Sequence, residues 1–352
     1  MKNNYQIGVI PGDGTGPEVV AEGLKVLKAV AERADINYDL THYDFGGERY
    51  LKTGEILPDS AIQELGQMDA VYLGAIGHPD VKPGILEKGI LLNLRFSLDL
   101  YINLRPVKLY PGVDTPLKDK GPQHIDFDVV RENTEGLYKG AGYQYDDTYV
   151  NLRIFTDKGM ARILRFCFEL ARKAQRKKVT FTHKAHVLTY TDAPMLELFY
   201  ELAKEYPDVE AEDMTIDACA MQIVMHPERF DIVFAENANG DILSDVGAGV
   251  VGGMGFAYSG NIGDAMGVFE PVHGTAPKYA DKNVINPLAA IMASRMMFDY
   301  LGETITGDMI EKAIVDVLLE GKVRTYDLKG NSSTTEMAEA VSAALRNIWN
   351  QS

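Results

Sequence analysis

The strongest constraint on the fold is the opening of the chain, a buried strand, a glycine loop and a helix. Tyr5 to Ile10 read as a strand of the IGVI type, and Pro11 to Gly16 as a tight loop. A helix follows from Pro17 to about Glu32, its proline in the first turn where a missing N–H costs little. The pattern continues with a strand near Asn37 to Tyr43, a helix from about Ser60 and an apolar strand at Ala70 to Gly74. Such alternation predicts an α/β fold, a mostly parallel sheet with helices on both faces. With 352 residues, the chain has room for two domains or one large α/β unit, without staples.

Residues 85–98 read as a helix, Tyr101 to Leu109 as a strand and 111–123 as an exposed loop. Between Asp126 and Phe155 the pattern changes to tyrosines and alternating branched residues, including Tyr138, Tyr143, Tyr145 and Tyr149. Antiparallel strands are expected there, as an arm that pairs with another subunit. Alternation resumes with a helix at 157–175, a strand at 178–182, a helix at 192–205 and strands near 214–216 and 231–234. A helix starts near 239, glycines at 247–263 suggest a crossing between domains, and helices at 287–301, 307–320 and 333–349 complete the chain.

Charge narrows the partners. Fifty-one acids against 35 Lys plus Arg leave a net charge of −16. So acidic a body repels phosphate backbones and anionic lipid, which argues against nucleic acid and membrane surfaces. Cys167 and Cys219 lie far apart in apolar settings, the usage of a reducing compartment. No secretory signal and no stretch of ~18 uncharged apolar residues is visible. A soluble, cytoplasmic protein is expected.

The glycine loop invites a dinucleotide reading, but Gly12, Gly14 and Gly16 give G-x-G-x-G rather than G-x-G-x-x-G. Asp13 and Glu18 also put negative charge where a phosphate would approach a helix N-terminus. A standard Rossmann site is rejected; the loop stays open as a cofactor wall.

Four later segments carry more chemistry. Arg95 follows Leu91 and Leu92 on one helical face, Arg105 ends the next strand, and Arg131 opens RENTEGLYKG with Tyr138. Guanidinium forks of this kind bind carboxylates, although surface ion pairing is the commoner account of any one of them. Lys184 sits just past a strand end, where α/β proteins place reactive groups; a solvated lysine is the alternative. Asp241 and Asp245, spaced i, i+4, present two carboxylates on one helix face, and Asp217 offers a third. Hard oxygens suit Mg²⁺ or Mn²⁺, while acids favouring a helix dipole are the plainer reading.

Taken together and in order, GDGTGPE, LNLR…LRP, RENTEG, the Lys184 segment, NGDILSD, EPVHGTAP (270–277) and NP (286–287) resemble the β-decarboxylating dehydrogenases. That is the family of isocitrate and isopropylmalate dehydrogenases. The resemblance implies its α/β fold, two domains on a large mixed sheet with no standard Rossmann loop. It implies a cofactor-binding domain over 1–99 plus 252–352, and a substrate, metal and dimerisation domain over 100–251 with the arm near 126–155.

The resemblance also implies a homodimer with shared active sites. Arg95, Arg105 and Arg131 would bind a malate-type substrate, and Asp217, Asp241 and Asp245 would hold Mg²⁺ or Mn²⁺. Lys184 would take the hydroxyl proton and Tyr138 reprotonate the enolate, Lys184 and Asp217 serving the neighbouring subunit's site. A cofactor wall is implied at Ile10, Glu270, His273, Gly274, Thr275, Ala276, Lys278, Tyr279, Ile285, Asn286, Tyr326 and Asp327.

Two blocks refine this. Where isocitrate enzymes resemble S-x-N, this chain has Gly89 and Leu91, with Leu92 adding apolar surface. Each buried CH₂ is worth ~0.8 kcal/mol, which favours an isopropyl group over an unpaired carboxylate. The block LEKGILLNLRF resembles a branch of bacterial enzymes acting on 3-isopropylmalate, whereas Lys88 leaves isocitrate or homoisocitrate open. HGTAPKYA and NIGD are similar to NADP-dependent isocitrate enzymes, Lys278, Tyr279 and Tyr326 suiting a 2′-phosphate; Gly330 departs from that pattern. NADP is therefore expected, with NAD tolerated. A non-catalytic regulatory subunit is the alternative of a different class.

Overall fold

The computed structural model describes residues 4–351. Its strands are β1 (Tyr5–Gly12), β2 (Tyr38–His42), β3 (Ala70–Ala75), β4 (Ile102–Lys108), β5 (Asp126–Glu132) and β6 (Gly142–Tyr145). They continue as β7 (Thr148–Asn151), β8 (Lys178–His183), β9 (Glu210–Thr215), β10 (Ile232–Ala235), β11 (Tyr258–Ile262) and β12 (Gly267–Pro271). The chain divides into two compact units. One comprises Met1–Leu100, Tyr110–Asp114 and Gly252–Ser352; the other comprises Tyr101–Leu109 and Thr115–Val251.

In the first unit the strand order is β2-β1-β3-β12-β11. All neighbours are parallel except β11 and β12. The helix Gly16–Ala34 turns Val19, Val20, Gly23, Val26, Leu27, Val30 and Ala31 inward, the spacing of one apolar helix face. It stops at Asp35, whose left-handed backbone (φ 55°) closes a bond from its N–H to the Ala31 carbonyl. The glycine loop is structural at its acid: the Asp13 carboxylate accepts from Gly47 N at 2.7 Å and Gly77 N at 3.0 Å. Both carboxylate oxygens are thus committed to the chain's own amides, and the charge of Asp13 repels a phosphate.

The predicted helix over 85–98 starts differently. Glu87–Leu92 form a π-helical turn that runs directly into an α-helix at Asn93–Ser97. The extra residue of a π turn rotates what precedes it, so one face does not run straight through the segment. Ile90 and Leu94 are fully buried in the unit's core, and Leu91 packs against them.

In the second unit the order is β4-β5-β10-β8-β9, parallel except for β4 against β5. Phe181 in β8 stacks on Phe199 and Phe234, each with ring centroids 5.2 Å apart, and anchors its core. The expected antiparallel arm over 126–155 is narrower than read. Asp126–Glu132 belong to the main order, parallel to β10, because Phe127, Val129 and Val130 are fully buried there. Only β6 and β7 form a separate hairpin, pairing Tyr143 with Val150, and it holds Tyr145 and Tyr149 about three-quarters exposed (76% and 77%).

Two strands escape the sequence pattern, β11 and β12. The glycine-rich run read as a crossing at 247–263 contains β11, whose YSGNI composition carries little β propensity. Among the described residues no helix is long and apolar enough to cross a membrane. Cys167 and Cys219 are buried and unpaired with each other.

Candidate active site

In the second unit two arginines converge on one acidic helix. Arg131, at the end of β5 and only 2% exposed, donates to Asp241 Oδ1 at 2.5 Å. Its remaining fork holds Asn237 Oδ1 at 2.8 and 3.1 Å. Arg105, on β4, donates to Asn103 at 2.7 Å and to Ser244 Oγ at 2.8 Å. The same guanidinium lies 3.4 Å from Asp241 and 3.6 Å from Asp245. Buried guanidinium groups are stable only when so paired.

The acids come from the helix Asn237–Val250, which starts two residues earlier than the sequence suggests. Glu236 caps it, its carboxylate accepting from Ala238 N and Asn239 N. Gly240 is required here, because a Cβ would sit 2.7 Å from Arg131 Cγ. Asp241 and Asp245 point the same way and are 36% and 59% exposed as side chains.

Tyr138 donates its phenol to Asp241 Oδ2 at 3.0 Å, and the Arg131 guanidinium lies 5.4 Å from its ring centre. Burial first, then the charge of Asp241, raises the Tyr138 phenol above its usual range. The Asp245 carboxyl is also raised, mainly by burial and further by Asp241, against the pull of Arg105 and Arg131.

Lys184 follows β8 and forms a close ion pair with Asp217, at the start of the helix Ile216–Met225. The Lys184 bond holds the Asp217 carboxyl below its usual range. Among the described residues no three His, Cys, Asp or Glu side chains are arranged to hold a metal. The chain therefore groups Asp241 with Asp245 but leaves Asp217 with Lys184.

The first unit presents the other expected residues. Arg95 is buried, with Nη2 3.4 Å from Glu270 Oε1. Leu91 leans on the core, Leu92 is half-buried and Lys88 is exposed.

A cavity of about 680 Å³ is lined by His273, Gly274, Ala276 and Tyr279, and by Ile285, Asn286, Tyr326 and Asp327. Asn286 donates to Asp327 at 2.9 Å, which ties two of its walls together. Burial lowers the His273 imidazole below its usual value, against the hydrogen bond to the Gly274 carbonyl.

Four expected wall residues lie elsewhere. Ile10 is fully buried in the core, and Glu270 accepts from Asn261 at 2.7 Å and faces Arg95. Thr275 contributes its carbonyl, which accepts from Thr15 N at 2.9 Å. Lys278 lies off the wall, its ammonium 4.7 Å from the centre of the Tyr279 ring. Sequence reasoning misses Thr15, Met254, Gly255 and Val284 on the same wall. Only Thr15 carried a signal, the G-x-G-x-G loop.

The second unit thus carries a buried guanidinium pair on two partly exposed carboxylates, and the first unit a cavity of its own. The family model "Isocitrate/isopropylmalate dehydrogenase" matches residues 6–341, and the chain belongs to that family.

The chain is 44% identical over 346 residues to the 3-isopropylmalate dehydrogenase of Thermobifida fusca, covering 95% of this chain and 98% of that one. It is also 44% identical over 347 residues to the 3-isopropylmalate/3-methylmalate dehydrogenase of Methanocaldococcus jannaschii, with 97% and 99% covered. The crystal structure of isocitrate dehydrogenase from Methylococcus capsulatus superposes with a TM-score of 0.89 at 38% identity, covering 97% and 99%. The chain is thus an oxidoreductase of the dehydrogenase type. Family membership carries dependence on a nicotinamide dinucleotide and a divalent cation, and small malate-type substrates.

Proposed function

We propose that this enzyme oxidatively decarboxylates a 3-substituted (2R)-malate, with 3-isopropylmalate as preferred substrate. One observation carries the reading: Arg105, Arg131 and Tyr138 gather on Asp241 and Asp245, whose carboxylates remain partly exposed. Arg105 and Arg131 bind and orient the substrate carboxylates through charge-assisted bonds.

The donor set fits a hard divalent cation, since Mg²⁺ is commonly held by one or two carboxylates together with substrate oxygens. Asp241 and Asp245 would hold Mg²⁺ or Mn²⁺, joined by Asp217 of a second copy of the chain. When bound, the cation supplies Lewis-acid stabilisation of negative charge developing on substrate oxygens, and the nicotinamide supplies the hydride acceptor. Lys184 first gives up a proton from its ammonium to water and then, as the neutral amine, accepts the hydroxyl proton. Tyr138, whose raised pKa keeps the phenol protonated at neutral pH, returns a proton to carbon after CO₂ leaves.

A homodimer follows from the same roles, because Lys184 and Asp217 act on the neighbouring subunit. The exposed apolar surface of the second unit supports it, with Tyr145, Tyr149, Tyr190 and Met225 all more than half exposed. Two buried free thiols support a reducing, cytoplasmic setting.

NADP is the preferred cofactor, with NAD tolerated. Lys278 stacked on Tyr279, and Tyr326, 78% exposed on the cavity wall, offer a cation and two hydroxyls to a 2′-phosphate. For the substrate, Leu91 and Leu92 favour an alkyl substituent at C3, and both named relatives act on 3-alkylmalates by their names. Isocitrate is the second reading, carried by the exposed Lys88 and the likeness to an isocitrate dehydrogenase structure.

The test is the rate of absorbance change at 340 nm with Mg²⁺. 3-Isopropylmalate, isocitrate, homoisocitrate and D-malate are each run with NADP and NAD. Fastest turnover of 3-isopropylmalate supports the reading. Preference for isocitrate moves the specificity to Lys88, and cofactor binding without any turnover means a non-catalytic subunit.

A further inference from the structure

We propose that Arg153 is a positioning residue that holds the Lys184 loop and the acid-bearing helix Asn237–Val250 in register through two buried carboxylates. It lies two residues beyond β7, where the hairpin returns to the body of the second unit. Its side chain is only 14% exposed, and its guanidinium sits 4.9 Å from the Phe155 ring centre.

One arm of the fork closes on Asp192 and donates to Thr191 Oγ1 at 3.1 Å. Asp192 is fully buried, and its other oxygen accepts from the backbone N–H of Lys184 at 2.7 Å. The second arm lies 3.5 Å from Glu236, itself 4% exposed. Glu236 spends both oxygens capping the helix that presents Asp241 and Asp245. A single cation therefore compensates two buried acids, and each acid fixes the backbone of a segment that carries chemistry.

The electrostatics make this more than packing. Two carboxylates sealed from water need a positive charge or a proton. Without Arg153 they repel and draw in water, and each loosens the amides it holds. Lys184 and Asp241 then sample wider geometries, which slows the proton and hydride steps more than it weakens ground-state binding. The roles of Lys184 and Asp241 in this inference rest on the function proposed above; the backbone coupling does not.

The test uses full-length Arg153→Gln and Arg153→Lys. Hydrogen exchange is read at the amides of Lys184, Ala238 and Asn239, against core amides of β10 as reference. In Arg153→Gln those three amides should exchange roughly tenfold faster or more, with the β10 amides unchanged. On whichever malate the wild type oxidises, kcat should fall about 10²-fold while KM stays within about threefold. Arg153→Lys should recover part of both and serves alone if the glutamine variant fails to fold.

Unchanged exchange at these amides, or a uniform loss of protection with kcat intact, overturns the proposal. If the wild type oxidises no malate, the proposed function fails while the exchange result still decides the coupling.

Discussion

Tyr138 and Arg131 share one carboxylate. The phenol donates to Asp241 Oδ2 at 3.0 Å and the guanidinium to Oδ1 at 2.5 Å. The arginine fixes the acid, and the acid fixes the phenol. Removing only the hydroxyl therefore leaves the arginine and its substrate-binding edge in place. In Tyr138→Phe the hydride step should persist and the final protonation should slow, lowering steady-state turnover by about 10²–10⁴. A rapid-mixing experiment should show a burst of reduced nicotinamide followed by a slow steady state. Loss of the burst itself would assign Tyr138 to an earlier step.

Lys184 is paired with Asp217 rather than exposed alone, so its ammonium is held in a defined place before substrate arrives. Lys184→Ala removes the proton acceptor and frees Asp217. Oxidation should fall by about 10²–10⁴ on the same substrate, while dinucleotide binding, measured by fluorescence titration, stays within about twofold. Near-normal turnover in this variant would mean that the hydroxyl proton leaves by another route.

The helix spacing of Asp241 and Asp245, and arginines arriving from two strands, are legible in the chain because each is a local pattern. The residues that orient those arginines are not. Asn103, Asn237 and Ser244 matter only once β4, β5 and the helix after β10 are neighbours, and no local periodicity announces that. Glu270 illustrates the same gap. It stands in a block that resembles a cofactor motif, yet β12 pairs it with Ser259 of β11, and its carboxylate turns to Asn261 and Arg95. The π turn at Glu87–Leu92 is likewise invisible to a 3.6-residue period, which assigns Leu91 and Leu92 one common face.

Acid stability offers an independent check on the ground beneath Lys184. Asp213 accepts from Tyr200 and lies 2.9 Å from His183 Nε2, and these bonds hold its carboxyl below the usual value against the opposing effect of burial. For a carboxyl depressed in the folded state, the stabilisation is present above the unfolded pKa, near 4, and is lost as pH falls through the folded value. Asp213→Asn should therefore lower the urea midpoint at pH 7, and the gap to wild type should shrink below about pH 4. A gap that stays constant down to pH 2 would show that Asp213 acts through packing rather than charge.

Lys278 lies beside the cavity rather than on its wall. Its ammonium rests on the Tyr279 ring, an arrangement that leaves the charge partly solvated and able to swing towards a phosphate. Gly330 cannot substitute for it. A Cβ at that position would sit 2.1 Å from the Arg324 carbonyl oxygen, so the backbone admits no larger side chain there. If Lys278 supplies the missing charge, Lys278→Asp should reduce kcat/KM for NADP by about 10–100-fold, the loss of one charge-assisted contact replaced by repulsion. The same substitution should leave NAD within about threefold, since its ribose 2′-OH can donate to the new acid. Equal losses with both cofactors would remove Lys278 from phosphate recognition and leave Tyr279 and Tyr326 as the groups that face it.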